Sequence, residues 1–593
     1  MTIAEAPVIA DHEQQADIAK FDEQLQRYLD GDLPEDAFRV FRLNNGIYGQ
    51  RQGGHNQMVR VKLPWGGVTP AQLDMLAHIA DEYSRGWGHI TTRQNVQFHF
   101  VQLERVPDLL RDLAVVGLTS REACGDTVRN IQGCHLAGAC PFEVLDISPW
   151  AEATHRYFLR HPYGQRLPRK FKINFSGCNT DCGQAMFNDV GVVAAARRRD
   201  DGSIEPGFRV YLAGGLGANP HPAQALEDFT SREDLLLTIE AILRTFDHYG
   251  NRENKLRARL KWLVDQIGID ELRDRVKAER KLLIAAARAP IGIPDVVKEW
   301  GDAPAGRDPS VDATPVGDGV AVEISGSKPF DRWKSANVVI GEAKGTVSAL
   351  AYAELGDLTS HQLREVARIA REGDYEVRVT NRQNLVFRGL THEQLPALHT
   401  ELEALGMAAP GAELARDVVS CPGADTCNLA VTQSRGLASD IGAALEDAGL
   451  AEVGGIRVNI SGCTNSCGQH HASDIGFFGV ERRAHGRAAP GYTMLLGGHV
   501  ANESVRFGEK ALRLPAKNAS AAVVRIVGRY RDERHPAQTF QDWLEAAGGA
   551  SAVGETLADL DEFPSPEEAP DFYTDFGEAG PYVKEIGASE CAT

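Results

Sequence analysis

Apolar residues fall at helical spacing in FDEQLQRYLDG, where Phe21, Leu25, Tyr28 and Leu29 share one face, so a helix is predicted there. FKINFSGC and IRVNISGC alternate instead and end on glycine, the pattern of strands that run into tight loops. Residues 55–117 and 336–407 read as two small units of alternating strands and helices, each followed by a larger unit. A Pro-, Gly- and Asp-rich stretch over 289–332 reads as a linker. The division predicted from this pattern is an arm over 1–20, a small unit over 21–118, a larger one over 119–288, the linker, a second small unit over 333–409, a second larger one over 410–552, and an acidic tail over 553–593. No run of about eighteen apolar residues occurs, so no membrane span is expected.

The pattern occurs twice. NFSGCNTDCGQ (174–184) matches NISGCTNSCGQ (459–469), and TTRQNVQF (91–98) matches TNRQNLVF (380–387). PGFRVYLAGG (206–215) lies over PGYTMLLGGH (490–499), and all the matches keep one order with offsets of 283 to 289. That period is too long for a solenoid and describes a duplicated half-molecule, for which a pseudo-two-fold axis is the natural arrangement.

Each half carries four cysteines spaced C-x5-C…C-x3-C: Cys134, Cys140, Cys178 and Cys182, then Cys421, Cys427, Cys463 and Cys467. Thiolates at fixed short spacings suggest a soft metal centre. Zinc favours cysteine pairs two to four residues apart, and C-x5-C is too wide for it. The start lacks a secretory pattern, which points to the cytoplasm, where disulfides are rare. Net charge is −19, which argues against nucleic acid as the main partner.

CPGADTCNLA together with NISGCTNSCGQ closely resembles the signature of siroheme-dependent sulfite and nitrite reductases. LPRKFK (167–172), DTVRN (126–130) and TTRQNVQFH (91–99) match that family's siroheme- and anion-binding segments, and the resemblance covers about 40–550. It implies an α+β, internally duplicated fold: two ferredoxin-like half-domains plus two mixed α/β siroheme/Fe–S domains. It also implies that Cys421, Cys427, Cys463 and Cys467 bind a [4Fe–4S] cluster and that Cys467 bridges to the siroheme iron. The first-half quartet is then expected to be a remnant or structural thiols, with a second cluster as the alternative, because spacing alone does not prove occupancy.

Arg60, Arg129, Lys170 and Lys172 form a basic set in the first half. Across the repeat, Lys170 meets Gly455 and Arg60 meets the apolar stretch SALAY, so the reaction face is expected in the first half and the cluster in the second. A small oxyanion leaves water only if fixed charge replaces its hydration. Arg60 and Arg129 are therefore assigned to anchoring, and Lys170 and Lys172 to proton supply. Siroheme is rimmed by carboxylates, which makes Arg93, Gln97, His99, Arg382 and Arg416 candidate holders. The segment ENKLRARLKW (253–262) could meet that rim or face water. Some relatives join a tyrosine and a cysteine by a thioether; here the pair would be Tyr48 and Cys124.

No flavodoxin-like segment or correctly placed G-x-G-x-x-G is found. LAGGLGAN (212–219) repeats as LLGGHVAN (495–502) and is a feature of the fold. A separate donor is required: ferredoxin, or alternatively a flavoprotein reductase. Arg197, Arg198 and Arg199 are a candidate docking patch. The activity expected is six-electron reduction of sulfite to sulfide by a monomer. Nitrite reduction to ammonia is the alternative, although plant-type nitrite reductases commonly carry Asn where Lys172 stands. A precorrin-type oxygenase and a non-catalytic Fe–S carrier are further readings.

Overall fold

The computed structural model describes residues 12–287, 324–341, 345–536 and 538–587. Most of the expected linker lies outside these residues. Its last part does not behave as a linker: helix Pro329–Asn337 buries Trp333 in the core of the small units. The expected arm also needs correction, because helix His12–Leu29 starts eight residues before Lys20 and buries Ile18, Phe21 and Leu25.

The two small units are not separate. One sheet runs Ile47–Gly49, Asn56–Lys62, Asn95–Gln102, Trp87–Ile90 and then Asp357–Thr359, a strand from the second half. Its counterpart runs Val338–Ile340, Thr346–Ala351, Leu385–Thr391, Glu376–Val379 and then Gly67–Val68, from the first half. Each half therefore lends an edge strand to the other, with Asp357 opposite His89 and Val68 opposite Val377. One continuous core, from Val59 and Phe98 to Val366 and Phe387, spans both. Helices Pro70–Tyr83 and Ser360–Gly373 cover it, and each opens with the same reciprocal cap, Thr69 with Gln72 and Thr359 with Gln362. Arg371 pairs with Asp74 at 2.6 Å across the two helices.

The larger units repeat a second five-stranded plan. Strands Gln132–Gly133, Ile173–Ser176 and Val190–Arg198 run parallel, and Ile204–Leu212 and Gln224–Ser231 continue antiparallel. The second copy has Val419–Ser420, Val458–Ser461 and Ile475–Ala484 parallel, then Arg487–Leu496 and Glu509–Pro515. The second copy's core reaches Val553, Leu557 and Leu560, so that unit extends past the expected boundary at 552. Among the described residues no helix is long and apolar enough to cross a membrane.

Beyond that core the acidic tail wraps back onto the loop after Cys427. Asp575 accepts the Gln433 N–H at 3.0 Å, Tyr582 donates to Val431 O at 3.0 Å, and the Gly587 N–H donates to Asn428 O at 2.9 Å. Arg51 of the first half adds a bond to Ala430 O at 2.7 Å. Deleting residues 570–593 exposes this loop. The shortened protein is expected to lose cluster iron to a chelator several-fold faster than the full chain, with little change in the circular dichroism of the sheets. Equal rates of iron loss would show that the tail does not protect the cluster.

Candidate active site

Parallel strands deliver the second-half cysteines. Cys421 directly follows Val419–Ser420 and Cys463 follows Val458–Ser461 by one glycine, so both leave the carboxyl ends of neighbouring strands. The Cys421 N–H donates to Ile460 O at 3.3 Å, and its sulfur accepts the Gly462 N–H at 3.3 Å. Such amides stabilise thiolate and cluster sulfur. Gly468 is obligatory, since a Cβ there would lie 2.0 Å from Ile460 O. The four thiols lie within electrostatic reach of one another. Burial pushes the Cys427 thiol up to about 12, with Cys467 and Cys421 adding to the rise. Buried thiols such as Cys427 give up their protons when a metal cation replaces them. Among the described residues no three His, Cys, Asp or Glu side chains converge as they would around one ion. Four mutually interacting soft donors suit the larger body of an Fe–S cluster better than a zinc ion.

Cys467 differs from the other three. It is exposed, whereas Cys421, Cys427 and Cys463 are half-buried. Its carbonyl accepts a bond of 2.9 Å from Thr92 Oγ1, which brings the first half's TTRQN turn onto the fourth cysteine.

On that side the first half presents its cations. Arg93 donates to Gln132 Oε1 at 2.9 Å, Asn174 Oδ1 at 3.1 Å, Asn188 Oδ1 at 3.3 Å and Asn130 O at 2.7 Å. All four are neutral oxygens, and burial holds Arg93 down to about 9, helped by Arg129. Arg129 bonds the carbonyls of Gly125 and Ala123. Arg60 also reaches Ala123 O, at 3.2 Å, and Cys124 Sγ at 3.3 Å. With its amide oxygen turned toward Arg60, Gln97 accepts at 2.6 and 3.0 Å. Lys170 and Lys172 flank buried Phe171. Burial first, then Arg93, Arg259 and Lys170, push Lys172 well below the usual lysine value, while Asp189 opposes them. Tyr48 packs on Cys124 beside Leu43 and Met58.

Two cations escaped the sequence reading. Lys62 is buried, and burial lowers it to about 8 against the pull of Glu122. It shares a strand face with Arg60, and that alternation was available in RVK. Arg259, from the ambiguous basic segment, turns inward to Asp189 at 2.7 Å, while Lys255 pairs with Asp126 at 2.7 Å. His99 lies on Trp87, and burial holds its ring neutral, down to about 3.

Arg382 and Arg416 are not brought to the Cys467 side. Arg382 pairs with Glu413 at 2.7 Å and lines a small open cavity together with Cys182, Asn381, Arg457 and Asn459. This cavity is the two-fold mirror of the Cys467 side. Its arginine is neutralised, whereas Arg93 is bonded only to neutral oxygens, so of the two Arg93 is the better suited to receive an anionic group. Arg416 pairs with Glu446 and faces the Tyr352 ring. The Arg197–Arg199 patch is also partly cancelled: Glu205 takes Arg197 at 2.8 Å and Arg199 at 3.1 Å.

Buried polar atoms without partners remain in the first half: Arg93 Nε, a donor, Asn130 Oδ1, an acceptor, and both nitrogens of His99, one of each kind in the neutral ring. The donors at Arg93 and His99 fit a ligand bearing carboxylates, as siroheme does.

The family model for the nitrite and sulphite reductase 4Fe–4S domain matches residues 124–282 and 411–556. The model for the ferredoxin-like half domain of the same enzymes matches 48–116 and 343–405. A protein of Haloferax mediterranei named assimilatory ferredoxin-dependent nitrite reductase is 29% identical, over 85% of this chain and 84% of its own. A protein of Mycobacterium tuberculosis named ferredoxin sulfite reductase is also 29% identical, over 84% and 86%. The solved structure of the Mycobacterium tuberculosis NirA protein superposes with a TM-score of 0.74 at 26% identity, covering 92% of this chain and 98% of that one. Siroheme and a [4Fe–4S] cluster are the cofactors of these oxidoreductases, and the duplicated α+β fold is theirs. The chain belongs to the nitrite and sulphite reductase family.

Proposed function

We propose that this chain reduces sulfite to sulfide with six electrons supplied by ferredoxin, in the cytoplasm. The cluster is held by Cys421, Cys427, Cys463 and Cys467, with Cys467 shared with the siroheme. Bound there, siroheme would supply the iron at which the anion is reduced and the cluster would supply electrons one at a time. Arg60 and Arg129 anchor the oxyanion through guanidinium groups already oriented by carbonyls and Gln97. Arg93, Gln97 and His99 receive the carboxylate rim. Lys170 and Lys172 hand over protons. Lys172 is poised for this because its burial makes the ammonium unstable until an anion arrives.

The observation carrying the choice of sulfite is the density of positive charge. Lys172 lies beside Arg93 and Lys170, with Arg259 shared with Asp189, and a dianion profits from each added cation more than a monoanion does. Steady-state reduction of each anion by purified holoenzyme and reduced ferredoxin tests this. Sulfide production with the higher kcat/KM is the expected result. Ammonia from nitrite with negligible sulfide would transfer the assignment to nitrite.

A further inference from the structure

We propose that the first-half quartet, Cys134, Cys140, Cys178 and Cys182, holds a second [4Fe–4S] cluster, without a tetrapyrrole. In the sequence these thiols read as a remnant or structural thiols because spacing alone does not prove occupancy. The structure adds a cage whose backbone repeats that of the second half.

The Cys134 N–H donates to Phe175 O at 3.0 Å, as Cys421 does to Ile460 O. Val144 N–H reaches Gly177 O at 2.7 Å, and Val431 N–H reaches Gly462 O at 2.7 Å. The Gly183 N–H donates to Ser176 Oγ at 3.0 Å, and Gly468 to Ser461 Oγ at 3.0 Å. Asn174 Nδ2 donates to Gly183 O at 2.8 Å, and Asn459 Nδ2 to Gly468 O at 2.8 Å. A Cβ on Gly183 would lie 1.9 Å from Phe175 O, so the close turn is kept as well. Cys140 is within electrostatic reach of Cys178 and Cys182.

The fourth cysteine is presented in the same way. Asn381 of the second half donates to Cys182 O at 2.6 Å, as Thr92 does to Cys467 O. Asn381 is almost wholly buried, its Oδ1 has no partner, and both it and Cys182 line the same small cavity as Arg382. The loops between the first two cysteines do differ, with the left-handed glycine at 138 in one and at 423 in the other.

The same cavity argues against a second tetrapyrrole. Glu413 occupies Arg382, lies 3.9 Å from His135 and sits with Asp417 on the cavity wall. Glu413 already takes up Arg382, and burial pushes Asp417 up to about 7, so this wall keeps Arg382 from receiving the rim of a carboxylate-bearing ring. Buried Glu143, which accepts the Gly138 N–H at 2.8 Å, adds negative charge beside Cys140.

The test counts cofactors per chain in protein purified without oxygen from siroheme-supplying cells. About nine irons and eight acid-labile sulfides per chain are expected, one iron being the siroheme's. Cys178→Ala/Cys182→Ala is expected to fall to about five and four with the siroheme spectrum retained, and Cys463→Ala to keep about four sulfides. Alkylation of the native wild-type protein, mapped by mass, should spare Cys134, Cys140, Cys178 and Cys182 until iron is removed. That readout stands even if the variants fail to fold. A wild-type count of about four sulfides, or first-half cysteines that alkylate with no loss of iron, overturns the proposal. Neither readout depends on which anion is reduced, so it survives a failure of the sulfite assignment.

Discussion

Cys467→Ser is expected to strip the second-half cluster and its coupling to siroheme while leaving the chain folded. The packing argument is direct. Cys467 is exposed, so its sulfur contributes little to the core. The bonds that shape its loop are made by backbone or by other residues: Thr92 to Cys467 O, Gly468 N–H to Ser461 Oγ, and Asn459 to Gly468 O. Serine keeps all of these and changes only the soft donor, and iron in a sulfide cluster holds an alkoxide poorly. Activity should fall by at least about 1,000-fold, equivalent to about 4 kcal/mol in the barrier. The cluster signal in electron paramagnetic resonance should disappear, while the thermal midpoint of cofactor-free protein shifts by no more than a few degrees. Cys421→Ser serves as a contrast. Its sulfur accepts the Gly462 N–H at 3.3 Å and lies 3.4 Å from Ser434 Oγ inside the cage, so that variant should also weaken the cofactor-free fold. A Cys467→Ser protein with an unchanged resonance spectrum would remove this cysteine from the ligand set.

The parts of the fold that were legible in the sequence are those written in local spacing. The duplication, both thiol quartets and the strands that feed them recur as text. The exchanged strands Gly67–Val68 and Asp357–Thr359 were not legible: two or three residues carry no period, and their partners are far away in sequence. The tail's docking on the loop after Cys427 was invisible for the same reason, since it rests on isolated contacts such as Tyr582 to Val431 O. Charge was legible only in part. The sequence showed that Arg93 and Arg382 are repeats of one position. It could not show that Glu413 neutralises one while only amides and a carbonyl hold the other. Arg416 failed because its alignment partner, Arg129, bonds inward to Gly125 while Arg416 turns to Glu446. Arg259 needed the fold, because a basic helix start points inward only when an acid such as Asp189 is buried opposite.

Lys172→Asn is expected to damage sulfite turnover more than nitrite turnover. In the anion-free site the ammonium at 172 is disfavoured by burial and by Arg93, Arg259 and Lys170. Its value in the folded chain therefore lies below the unfolded 10.5, and between the two values the folded chain binds fewer protons. An arriving anion reverses the balance, so binding takes up a proton, and the uptake is stronger for a dianion. Sulfite kcat/KM should then fall as pH rises through the upper part of this window, because the proton becomes scarce. Asparagine cannot take up that proton, so the variant's profile should be flatter. It also removes one positive charge from the pocket, for a loss of roughly 10- to 100-fold with sulfite, or about 1.4–2.8 kcal/mol. With nitrite, which carries half the charge, the loss should be roughly the square root of that factor. The measurement is kcat/KM for both anions at four or more pH values, wild type against variant. Equal losses for the two anions, with parallel pH profiles, would show that Lys172 neither selects the dianion nor carries the proton.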